Sequence, residues 1–228
     1  MRGSLARTAA RALRRRDEGR HGAPGDRPVV LIHGFLSSSH VLLPLERHIR
    51  RTLRRPVVRV GLGRRLPLHL QDVRKSALRV YEVLDALARE PGFEFADVVG
   101  HSLGGLVATY VLKRLDGGRR IRRVVTLGAP HRGTPLALVG ALLFGAFSRA
   151  VWQMIPGSPL LREIEALPVP PGAEIVAVAS PRDGLVPKRF ATLAEAAGQW
   201  SFTAPPASHM ELVFAPAILG LVSQLLAR

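Results

Sequence analysis

The 228-residue chain predicts an α/β architecture, with a mainly parallel central sheet of about six strands, flanking helices and a small helical lid or cap. Three observations carry this expectation. Short, continuous apolar runs rich in Val and Ile recur, as in strands buried on both faces. Between them lie stretches with apolar residues at helical spacing, and strands alternating with helices make βαβ units. Loops bearing Gly, Ser, His and Asp follow the strands' carboxyl ends, where an open α/β sheet places its ligand site.

The first run, Val29-Val30-Leu31-Ile32, has Pro28 at its entrance and ends at His33-Gly34-Phe35. Val41 to Leu53 reads as a helix whose polar side holds Arg47, Arg50, Arg51 and Arg54. Val57 to Val60 is the next strand, and Gly61-Leu62-Gly63 its turn. From Leu70 to Arg89, apolar residues at Val73, Ala77, Val80, Leu84 and Leu87 mark a helix that Pro91-Gly92 ends. Val98-Val99 lead into Gly100-His101-Ser102-Leu103-Gly104, followed by a helix from Leu103 to Leu115 and a Gly117-Gly118 stop. Ile121 to Leu127 is a strand that runs into Gly128-Ala129-Pro130-His131-Arg132-Gly133.

Thr134-Pro135 suits an N-cap with proline at the first helical position. The run Leu136 to Phe147 is apolar all round yet shorter than the roughly 20 residues a bilayer requires. It reads as a core helix or, our preferred expectation, as a lid over an acyl-binding groove. Glu174 to Ala179 is a strand with the exit loop Ser180-Pro181-Arg182-Asp183-Gly184. Gln199 to Thr203 is the last strand, Ala204 to Met210 a loop with His209, and Pro216 to Leu226 a closing helix. Residues 1–27 stand apart as a basic arm, disordered or amphipathic; residues 28–228 form one domain with its cap at about 134–172.

The formal charge of +16 comes almost wholly from arginine, since Lys75, Lys113 and Lys188 are the only lysines. It fits either arginine-biased coding or a surface that meets anionic lipid. Nucleic acid is disfavoured as a partner, because aromatic residues make up only 5% and none interleaves the basic runs. Without cysteine there is no disulfide, thiolate metal site or thiol nucleophile. The arm holds no apolar core of the roughly 7–15 residues a signal peptide needs, so a cytoplasmic location is expected, with peripheral membrane contact left open. Oligomeric state is not legible.

Ser102 falls on a Gly-rich turn between a strand and a helix, the context of a Gly-x-Ser-x-Gly nucleophile elbow. A serine nucleophile needs a base, and only His131 and His209 follow it. In this topology the order is serine, acid, histidine, which selects His209 on the loop before the final helix. The acids between them are Asp116, Glu163, Glu165, Glu174, Asp183 and Glu195. Asp116 belongs to a helix end, Glu163, Glu165 and Glu195 to solvated helices, and Glu174 to the wrong edge of the sheet. Asp183 alone lies just past a strand's carboxyl end. For an oxyanion, the backbone N–H groups of Leu103 and Phe35 are the expected donors. His33 is expected to brace its loop.

Taken in order, His33-Gly34-Phe35, Gly100-His101-Ser102-Leu103-Gly104, Gly128-Ala129-Pro130-His131-Arg132-Gly133-Thr134, Asp183-Gly184-Leu185-Val186-Pro187 and Ser208-His209-Met210 resemble the bacterial lipase and esterase branch of the α/β-hydrolase superfamily. Met154-Ile155-Pro156-Gly157-Ser158-Pro159-Leu160-Leu161 resembles a segment that precedes the acid strand in such proteins. The resemblance implies a serine carboxylester hydrolase acting through an acyl-enzyme, with no cofactor or metal. An acyltransferase or thioesterase would use the same triad, and a non-catalytic basic membrane-binding module is the remaining alternative. The substrate that the resemblance implies is an acyl ester or lipid; Leu136, Leu143, Phe147 and Trp152 are the candidates for touching its acyl chain.

Overall fold

A computed structural model describes residues 27–62, 72–91, 93–144 and 148–228. Within them lie β1 (Val29–Ile32), α1 (Leu43–Thr52), β2 (Val57–Val60), α2 (Val73–Leu87), β3 (Ala96–His101) and α3 (Leu103–Tyr110). Next come β4 (Ile121–Leu127), α4 (Leu136–Phe144), α5 (Arg149–Gln153), α6 (Pro159–Ala166), β5 (Glu174–Ala179), α7 (Lys188–Ala191), β6 (Gln199–Thr203) and α8 (Pro216–Ala227). Residues 1–26 of the expected basic arm (1–27) and Phe147 fall outside the described residues.

The strands form one sheet in the order β2-β1-β3-β4-β5-β6, every neighbouring pair parallel. Alternation along each strand sends apolar side chains to both faces. Val30, Ile32, Val98 and Val124 meet α2, α3 and α6 on one face; Val29, Leu31, Val99, Val125 and Val178 meet α1 and α8 on the other. All four residues of β1 are completely buried, which is why its sequence is an unbroken apolar run.

Local signals set the ends of the helices. Asp72 caps α2 by accepting from Arg74 N–H. The helix begun by α3 widens into a π-helical stretch, Val111–Asp116, and stops where Gly117 adopts φ 61°. A buried clamp ties β2, β3 and α8 together. Arg55 donates to the carbonyls of Arg27 and Leu226 and pairs with Asp97 at 2.5 Å.

Three details differ from the sequence expectations. The Thr134 hydroxyl donates to the carbonyl of Leu185 at 2.7 Å, so it fastens the start of the α4 region to the loop after Asp183 instead of capping α4. Glu195 stands in an irregular loop, because the chain leaves helical geometry after Ala191. The apolar helix α4 is no core helix: among its described side chains only Ala137 is buried, and Leu138, Val139, Leu142 and Leu143 are exposed.

Candidate active site

Ser102 occupies the turn between β3 and α3 with φ 54° and ψ −126°. A non-glycine residue there is strained by roughly 1–3 kcal/mol, and the surroundings must hold it. They do so through Ser102 N–H, which donates to Leu127 O at 2.9 Å. Side chains at Gly100 or Gly104 would overlap the Gly104 carbonyl or the end of β1, so the tight turn requires both glycines.

Asp183 and His209 stand beside this turn, both buried. Asp183 Oδ1 accepts from Leu185 N–H at 3.0 Å and Val186 N–H at 2.9 Å. Its Oδ2 accepts from His209 Nδ1 at 2.7 Å. A carboxylate can only accept, so the His209 proton sits on Nδ1 and Nε2 is left as a base. Buried Ser180 joins the loops that carry Asp183 and His209, since its hydroxyl donates to Ala207 O and accepts from Ala207 N–H. Gly128, at φ 58°, leaves room for the pair; a Cβ there would lie 2.8 Å from Asp183 Oδ2.

The turn after β1 closes the other side. A Cβ on Gly34 would come within 2.8 Å of Ser102 Cβ, so the backbone leading to Phe35 passes directly against the serine. Leu103 opens α3, and the first N–H groups of a helix have no partner within it. His33 braces this turn as expected. Leu62 N–H donates to its Nε2 at 3.1 Å, which leaves Nδ1–H to donate to Gly34 O at 2.9 Å. Burial lowers the His33 pKa, partly offset by its bond to Gly34.

Ser102 and His209 open into a cavity of about 400 Å³ whose walls are almost entirely apolar. Leu136, Val139, Gly140 and Leu143 of α4 roof it, Val151 and Met154 of the next segment form its back, and Leu185, Val186 and Met210 flank the acid and base. Leu136 and Leu143, two of the candidates for touching an acyl chain, are among the lining residues. Trp152 lies off the lining, half exposed, because the neighbouring positions Val151 and Met154 face inward. Leu185, Val186 and Met210 line the cavity beyond the positions the sequence singled out; their signal was an apolar residue within three places after Asp183 or His209, on loops at the sheet's carboxyl edge.

Among the described residues, no cluster of three or more His, Cys, Asp or Glu side chains could hold a metal ion. His131, the histidine passed over as base, points away into the fold, where Thr126 Oγ1 and its Nε2 lie 2.8 Å apart. Burial, helped by Lys113, pushes its pKa down to about 3. Glu163 pairs with Arg74 and accepts from Tyr110, and Asp116 accepts from the backbone at Arg120 and Ile121, so both serve packing.

Residues 68–153 match the family described as the PGAP1-like alpha/beta domain. The mature lipase of Bacillus licheniformis superposes with a TM-score of 0.73 at 16% identity, over 92% of this chain and 96% of that one. A monoacylglycerol lipase of Paleococcus ferrophilus gives 0.64 at 15% identity, covering 91% and 96%. Naproxen esterase of Bacillus subtilis gives 0.60 at 16%, covering 91% and 86%. With its six parallel strands, its elbow and these likenesses, the chain has the α/β-hydrolase fold of lipases and esterases.

Proposed function

We propose that the protein is a serine carboxylester hydrolase that cleaves acyl esters through a covalent acyl-enzyme. The observation that carries this reading is the 2.7 Å bond from His209 Nδ1 to Asp183 Oδ2 beside a serine on a strained elbow. His209 Nε2 takes the Ser102 proton as Oγ attacks the acyl carbonyl, then returns it to the leaving alcohol. Asp183 fixes the imidazole tautomer and stabilises the imidazolium. The N–H groups of Phe35 and Leu103 receive the developing oxyanion. Water deacylates the serine by the same steps in reverse roles, and none of them calls on a cofactor.

The apolar cavity accommodates the acyl chain, with Leu136 and Leu143 among its contacts. The exposed leucines of α4 and the surplus of arginine suit substrate presented at an anionic lipid surface. The test is a panel of p-nitrophenyl esters of graded chain length with wild type and Ser102→Ala. Loss of the nucleophile should cost on the order of 10⁶ in kcat with an unchanged melting temperature. Equal activity in the two proteins would place the chemistry elsewhere. Equal binding to anionic and neutral vesicles at low salt would remove the membrane contact.

A further inference from the structure

His101, which ends β3 immediately before the nucleophile, has no part in the mechanism above. Its ring is 3% exposed. Nε2 lies 2.9 Å from the backbone carbonyl of His209. A carbonyl only accepts, so the His101 proton is on Nε2, and Nδ1 is a bare acceptor. That Nδ1 is buried and has no hydrogen-bond partner among the described residues. The rings of His101 and His209 stand 4.7 Å apart between centroids, tilted by 44°.

An apolar side chain would fill this space without leaving a buried acceptor unsatisfied, so packing alone does not call for histidine here. What the ring adds is one donor, directed at the backbone of the general base. Ser180 already ties the base loop to the acid loop. The bond from His101 ties the same loop to the elbow, across 108 residues of sequence. Nucleophile and base are thereby linked through adjacent residues of the chain.

We propose that His101 is a positioning residue, whose Nε2–H holds the His209 backbone so that the imidazole stays in register with Ser102. The inference rests on the ester-hydrolase reading. A strut of this kind matters because a displacement of about 1 Å in a reacting group can cost roughly 10²-fold in rate. The strut also adds no charge of its own. Burial, reinforced by His209 and more weakly by His33 and opposed by the bond to the His209 carbonyl and by Asp183, pushes the His101 pKa down to about 3. The ring therefore stays neutral while the imidazolium forms on His209 during each acyl transfer.

The test compares His101→Leu, which removes the donor, with His101→Gln, whose amide nitrogen reaches roughly the position of Nε2, and His101→Asn, which is too short. A fluorophosphonate that labels Ser102 counts competent sites, so kcat is expressed per labelled site. We expect His101→Leu and His101→Asn to lower that kcat by about 10- to 100-fold with KM within about twofold, and His101→Gln to recover most of it. In proton NMR, the downfield resonance of the His209 Nδ1 proton should broaden in the Leu and Asn variants and sharpen again in Gln. Wild-type kcat per labelled site in all three, even with lower melting temperatures, would reduce His101 to packing and overturn the proposal. If the Leu variant does not fold, equal rates in Gln and Asn overturn it in the same way. Failure of the wild type to label at Ser102 would sink the hydrolase reading instead; the NMR comparison then decides on the strut, which an unchanged His209 signal in Asn would refute.

Discussion

Asp183 meets two demands with one side chain. Its Oδ1 closes the local turn onto Leu185 and Val186, and its Oδ2 receives His209. Asp183→Asn keeps an oxygen for the turn but turns an amide donor toward His209 or leaves the wrong tautomer, so kcat should fall roughly 10⁴-fold while the melt barely moves. Steady-state kinetics beside a thermal melt check this. Near-normal turnover there, with collapse in Glu195→Gln or Asp116→Asn, would mean that the acid is another residue. Gly128 is the complementary case, because its constraint is space. In Gly128→Ala the new methyl lies 2.7 Å from Leu212 Cδ1 as well as close to Asp183, at a φ that L-residues avoid. Both stability and kcat should drop, measured by denaturant titration and ester hydrolysis.

Among the elements, α4 behaves least like its neighbours. Its inward residues Leu136, Val139, Gly140 and Leu143 line the cavity, while Leu138 and Leu142 point outward, Leu142 being 88% exposed. The two sides should be separable by mutation. Gly140→Leu fills the roof, where a Cβ already lies 3.2 Å from Val151 Cγ1, and should shift the chain-length optimum toward shorter esters. Leu142→Ser should leave soluble short esters untouched and weaken turnover of aggregated ones, since burial supplies about 25 cal/mol per Å² of apolar surface removed from water. An unchanged chain-length profile in Gly140→Leu would show that the acyl chain lies elsewhere. Strands were the most legible elements: the expected runs Val29 to Ile32, Val57 to Val60, Ile121 to Leu127, Glu174 to Ala179 and Gln199 to Thr203 coincide with β1, β2, β4, β5 and β6. Burial on both faces writes β1 and Ile175 to Ala179 of β5 as continuous apolar residues. The region around α4 was less legible, because a helix apolar all round carries no moment to say which side faces in. Periodicity therefore could not choose Val151 and Met154 over Trp152 as lining. The partner of Thr134 was likewise hidden, since a long-range hydroxyl bond to Leu185 leaves no local pattern.

At the scale of the whole molecule, two histidines link stability to acidity. His101 and His131 hold pKa values near 3, against about 6.5 in an unfolded chain, so the unfolded state takes up protons first as the pH falls. Stability is complete above about pH 6.5 and should decline through the window down to about 3, by about 1.4 kcal/mol per pH unit for each ring. Urea titrations from pH 7 to 4 measure the slope, and His131→Gln should flatten it by one ring's share. A slope unaltered by that change would mean that His131 is not a proton-linked group. The Arg55 clamp carries a different consequence, one of timing. It is completed only by the carbonyl of Leu226, and α8 supplies much of the apolar layer over Val29, Leu31 and Val99. While the ribosome is still making β6, one side of the sheet has α1 but lacks α8, and His209 has not been translated. Until α8 docks, Val29, Leu31 and Val99 on that face lack much of their apolar cover.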